Sequence, residues 1–138
     1  MMLVDGSPVG DTTVWQETVS VLAGTDYTFS AWAMPSDAAN LSTLRFFINS
    51  AQLGSDLSLV AQSGTWQNFT NGWNAGANTS ATIRIVDTNT QGFGNDFALD
   101  DVSFTGSNVP EPSAAILLLS GAAICLRRRS LRTHDRNA

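Results

Sequence analysis

The sequence predicts an all-β fold, an antiparallel β-sandwich, over residues 1–104. Three observations carry this. Apolar–polar alternations of strand period recur from Thr13 to Phe104, and clusters of Gly, Asn, Asp and Ser separate them at roughly even spacing. Nothing in that stretch keeps a helical period of useful length. A hydrophobic content of 43% over 138 residues supports one packed core with an appendage.

Thr13 to Val21 alternates, with Trp15, Val19 and Val21 on one face and Gln16, Thr18 and Ser20 on the other. Ala23 to Asp26 is a turn, and Tyr27 to Met34 follows it as a second strand, which predicts a hairpin. Pro35 to Ser42 reads as loop. Thr43 to Ser50 sets Leu44, Phe46 and Ile48 against Arg45 and Phe47. Asp56 to Ala61 is a shorter strand and Thr65 to Trp73 a longer polar-aromatic one, while Thr79 to Asp87 places Ala81, Ile83 and Ile85 together. In Asp96 to Phe104 the pairs Phe97/Leu99 and Val102/Phe104 have opposite parity. Burying both requires one extra residue between them, a β-bulge at Asp100-Asp101.

Charge divides the chain. Residues 1–108 hold two basic side chains, Arg45 and Arg84, against ten acidic ones, and residues 109–138 hold five arginines against two acids. There is no lysine. An acidic domain of this kind repels a phosphate backbone, which argues against a nucleic-acid partner. The single cysteine, Cys125, excludes an intramolecular disulfide, and the single histidine, His134, lies beyond the arginine cluster. No Ser-His-Asp, Cys-His or zinc-ligand set can be assembled in the domain, so it is not expected to be an enzyme. The start, Met1 to Gly6, has neither a basic nor an apolar segment of signal-peptide type, and an N-terminally truncated chain is expected.

After a linker at residues 105–108, Val109-Pro110-Glu111-Pro112 introduces an apolar run of 14 residues, Ser113 to Leu126, closed by Arg127, Arg128 and Arg129. As a hydrophobic helix it would be about 21 Å long, short of the ~20 residues a bilayer span needs. Arginines at its end would stay cytoplasmic and leave the β domain outside.

These tail features, in this order at the extreme C-terminus, resemble the PEP-CTERM sorting signal of exported proteins in exopolysaccharide-producing Gram-negative bacteria. The resemblance spans residues 109–132 and leaves a tail at 133–138. It implies an exosortase partner that reads Pro110, Glu111 and Pro112. It further implies transient inner-membrane anchoring through the helix at 113–126, arrested by Arg127 to Arg129, and release to the cell surface or extracellular matrix. A second resemblance rests on Trp15, Tyr27 to Trp32, Thr82 to Asp87 and Asn95 to Phe104. That order looks like jelly-roll domains related to carbohydrate-binding modules, and it implies a jelly roll over residues 4–104.

Aromatic rings pack on the apolar faces of sugars, so exposed tryptophans are candidate glycan contacts. Trp15 shares its face with Val19 and Val21 and is assigned to the core. Trp66 and Trp73 sit among Gln67, Asn68, Asn71 and Asn74 and, with Phe93, are the candidate groove. Asp100 and Asp101 are candidate ligands for a structural Ca2+, which takes several oxygens and which the resembling modules often hold near this strand. The leading expectation is a non-catalytic exported surface or matrix protein sorted by an exosortase. The alternatives are a carbohydrate-binding module with an aromatic groove for exopolysaccharide, and a truncated remnant without function.

Overall fold

The computed structural model describes residues 1–62 and 64–107. The sorting-signal residues Pro110, Glu111, Pro112 and Arg127 to Arg129, the apolar run 113–126 and the tail 133–138 lie outside the described residues. Within them are strands β1 Met2–Val4, β2 Thr12–Ser20, β3 Asp26–Pro35, β4 Thr43–Ile48 and β5 Ala51–Gln52. They are followed by β6 Leu57–Ser58, β7 Gln67–Asn74, β8 Ser80–Asp87 and β9 Phe97–Gly106. One sheet has the order β1-β9-β3-β7 and the other β2-β8-β4-β5, with β6 also on β4. All pairings are antiparallel.

Alternation decides which residues fill the space between the sheets. Tyr27, Phe29, Ala31 and Ala33 point inward from β3, Leu44, Phe46 and Ile48 from β4, and Ala81, Ile83 and Ile85 from β8. Phe46 of one sheet stacks on Phe69 of the other at 3.7 Å between ring centroids, and Phe29 tilts onto both at 5.7 and 6.1 Å. This aromatic contact bridges the two layers at the centre of the core.

The expected bulge is present. Ser30 pairs with Ser103 and Trp32 with Asp100, so β9 carries one residue more than β3 across that step. Asp101 takes the extra position at φ 47°, a left-handed conformation that turns the parity over. Phe97 and Leu99 before it and Val102 and Phe104 after it then all contact the core. A second bulge lies in β2, where Thr13 and Trp15 pair with the adjacent Val86 and Ile85. It lets both Val14 and Trp15 pack against the core.

The expected hairpin between Thr13–Val21 and Tyr27–Met34 is corrected. β2 pairs with β8 and β3 with β7 and β9, so the turn at Leu22–Thr25 crosses from one sheet to the other. Val21 and Tyr27, which flank it, are both buried, and the Tyr27 hydroxyl accepts the Leu22 N–H at 2.9 Å to close the corner. The strand expected over Asp56 to Ala61 shortens to β6, because the chain turns inward to bury Leu59, whose N–H bonds the Ser42 carbonyl. β1 is an addition: Met2, Leu3 and Val4 pair with Leu99, Ala98 and Phe97 at the edge of the first sheet.

One end of the sandwich is closed by a buried polar knot. Ser42 donates to the Asn95 carbonyl at 3.0 Å, and the Asn95 amide donates to Asp87 at 2.7 Å. Asp87 also accepts the Asn89 N–H at 3.1 Å. Desolvation raises the Asp87 pKa above the ordinary carboxylate value, against the pull of the bonds from Asn89, Asn95 and Thr43. Asn95 Oδ1 has no partner among the described residues.

Candidate functional site

The outer face of the first sheet is built from the residues whose parity opposes the core. Along β3 these are Thr28, Ser30, Trp32 and Met34, and Trp32 is 40% exposed although indole is the largest apolar side chain on the strand. Its neighbours follow from register. Trp32 pairs with Asn68 on β7 and with Asp100 on β9. Trp66, two residues before Asn68 and of the same parity, reaches the same face. Trp32, Trp66, Asp100 and Asp101 line a cleft of about 300 Å³. The bulge is what adds the second carboxylate, since Asp101 would face the core in a regular strand.

The cleft is acidic. Asp100 Oδ1 lies 3.0 Å from the Met1 ammonium and accepts the Asp101 N–H at 3.0 Å. The ammonium hydrogen bond first, and the backbone bond second, hold the Asp100 carboxyl below the usual carboxylate range. Among the described residues no protein group donates to the Asp101 carboxylate. Two flat apolar rings beside free acceptors can hold a sugar: the rings cover the C–H face of a pyranose and the carboxylates take its hydroxyl or amine protons.

The three expected glycan contacts are not brought together. Trp66 is in the cleft. Trp73 points inward, partly buried, its ring 6.1 Å from both Tyr27 and Phe104, where it caps the end of the core. Phe93 is 75% exposed on the β8–β9 loop, its carbonyl held by Asn40 at 2.8 Å, away from the strand positions that form the cleft. Trp32 is the site residue that sequence reasoning missed. Its signal was present, since it falls on the face opposite Tyr27, Phe29, Ala31 and Ala33.

Asp100 and Asp101, the candidate Ca2+ ligands, lie side by side in the cleft. Among the described residues no group of three or more His, Cys, Asp or Glu side chains converges on one point.

The opposite face of the sandwich has a different character. Arg45 and Arg84 line a depression of about 160 Å³ with Phe47, Val86 and Asp11. Arg45 grips Asp56 in a fork of 2.9 and 2.7 Å, which raises the guanidinium pKa and lowers that of Asp56. Arg84 lies over the Phe47 ring at 4.6 Å. Both basic residues of the domain therefore sit on the second sheet and both acids of the cleft on the first.

No protein-family model and no curated protein sequence matches the chain. Solved structures do match it. The chain is similar to the EclA C-terminal domain, described as a sugar-binding protein, with a TM-score of 0.67 and 15% identity over 75% of this chain and 76% of that one. It is similar to a CBM4 structure with a TM-score of 0.54 and 19% identity, over 74% of this chain and 67% of that one. The fold is that of carbohydrate-binding jelly rolls. A CBM22-1 xylan-binding domain from Paenibacillus barcinonensis is similar as well, with a TM-score of 0.50 and 12% identity over 72% of this chain and 70% of that one. At these identities the likeness is one of jelly-roll architecture.

Proposed function

We propose that the domain is a non-catalytic saccharide-binding module whose contact surface is the cleft of Trp32, Trp66, Asp100 and Asp101. The observation that carries the reading is the outward-facing Trp32, left 40% exposed in a strand that buries its other aromatics, beside a second indole and two carboxylates. Two indoles lining one cleft on a sheet face leave apolar surface that a ligand can cover, and a pyranose face fits that role. The sugar-binding descriptions of the similar jelly rolls support the class of ligand. Affinity electrophoresis of the full chain through gels containing polysaccharides tests it. Retardation by at least one glycan, lost in Trp32→Ala and in Trp66→Ala but kept in Phe93→Ala, supports the cleft. Equal retardation of all variants refutes it.

A second reading concerns delivery and is carried by the tail. Pro110, Glu111 and Pro112, the apolar run to Leu126 and the three following arginines support export, transient inner-membrane anchoring and processing by an exosortase. The saccharide-binding domain would then reach an exopolysaccharide matrix, where such a cleft has its ligand. Intact-mass measurement of surface-released protein tests this: loss of the segment after Pro112 is expected, and retention of Arg127 to Arg129 overturns it.

A further inference from the structure

The distribution of charge around the cleft narrows the saccharide. Residues 1–107 carry ten acidic side chains and only Arg45 and Arg84 as cations. Both arginines lie on the outer face of the second sheet, one locked to Asp56 and the other laid on Phe47. No cation of the domain other than the Met1 ammonium faces the cleft, and that group is spent on Asp100. The cleft itself presents two carboxylates and two indole rings.

A uronate polymer would bring its carboxylates against Asp100 and Asp101 with no guanidinium to receive them. At physiological salt, charges within about 8 Å remain poorly screened, so that approach is repelled. A protonated amine is suited to the opposite degree. Asp101 offers a carboxylate that accepts no bond among the described residues, and the faces of Trp32 and Trp66 attract a cation that approaches them.

We propose that the cleft, taken as the saccharide site on the reading above, selects glycans with free amino groups, of the glucosamine-polymer class. Acetylation of the amine removes the charge and the preference with it. The carboxylate of Asp101 supplies the discrimination and the rings of Trp32 and Trp66 supply contact area shared by all pyranoses.

The test is isothermal titration of the full chain with a glucosamine hexamer, its fully N-acetylated counterpart, a neutral glucose hexamer and a uronate hexamer. The glucosamine hexamer is expected to bind at least about tenfold more tightly than the acetylated one, the scale of one charge-assisted hydrogen bond. Asp101→Asn should erase that difference, bringing the glucosamine hexamer down to the affinity of the acetylated one. Asp37→Asn removes the same charge from a distant loop, where the new amide can keep the bond to the Ala39 N–H, and should leave the preference intact. If the neutral or acetylated hexamer binds as well, with sensitivity to Trp32→Ala, the cleft stands and the amine preference falls. Equal weakening by Asp37→Asn and Asp101→Asn reduces the effect to bulk charge and overturns the proposal. Binding of no hexamer removes the saccharide reading and the preference together.

Discussion

Asp87→Asn is expected to make the protein more stable at neutral pH and to change nothing at strongly acid pH. Asp87 is 1% exposed at the end of β8, and burial raises its pKa above the ordinary carboxylate value. A carboxyl whose folded pKa is raised binds protons more readily in the native than in the unfolded state. Stability therefore falls as pH rises through the ordinary carboxylate range and on through the folded pKa, and stays at the lower level above it. Each tenfold displacement of that proton equilibrium withdraws about 1.4 kcal/mol. For a domain of this size every kcal/mol corresponds to about 4–8 °C in Tm. The substitution removes the buried charge at small cost in hydrogen bonds. Its oxygen can still accept the Asn89 N–H, and the Asn95 amide can turn so that Oδ1, unpaired in the parent, meets the new amide donor. Asp56 and Asp100 act in the reverse sense, since their lowered pKa values withdraw stability as pH falls, so the parent curve alone is a composite. The informative quantity is the difference in Tm between variant and parent, scanned from pH 3 to pH 7 by circular dichroism. It should grow with pH and level off. A difference that is constant across the range, or that favours the parent at pH 7, refutes the reasoning.

Phe46→Ala should cost about 3–5 kcal/mol in urea denaturation, because it removes a ring that stacks on Phe69 and touches Phe29 across the two layers. Gly6→Ala should cost about 1–3 kcal/mol, since a Cβ there would lie 2.7 Å from the Asn95 carbonyl carbon and would push the segment after β1 off the polar knot. Replacing Arg127, Arg128 and Arg129 with Ser should move a reporter fused at Ala138 out of the cytoplasm in part, and an unchanged reporter would show that the arginines do not hold the tail there.

Where one face of a strand is buried, alternation alone reveals it, and β3, β4 and β8 were legible for that reason. Their inward residues are apolar and their outward ones mostly polar, so parity and burial coincide at most positions. The bulge in β9 was legible because a break in parity is a residue count, which needs no knowledge of partners. The crossing from β2 to β3 was not legible. Ala23 to Asp26 is the same turn chemistry whether the chain returns beside its own strand or passes to the facing sheet, and only the joint burial of Val21 and Tyr27 distinguishes them. β1 was invisible for a simpler reason, since three residues, Met2 to Val4, are too few to display a period.

The site was half legible, and the missed half shows what parity can and cannot settle. Trp66 and Trp73 are seven residues apart, an odd separation, so a regular strand sends them to opposite faces and a shared groove is geometrically excluded. The fold follows that rule, with Trp66 in the cleft and Trp73 against Tyr27 and Phe104. The same rule applied to β3 sets Trp32 apart from every other aromatic of its strand. What no local pattern contains is the register that puts Trp32 between Asn68 and Asp100. These residues lie 36 and 68 positions along the chain and meet only because β3 is central in its sheet. The composition of the cleft is thus a property of strand order, while the identity of its exposed ring is a property of the strand alone. That separation makes Trp32→Ala the cleaner perturbation: it removes a side chain whose exposure owes nothing to core packing. A loss of binding in that variant can be read as loss of contact rather than of fold.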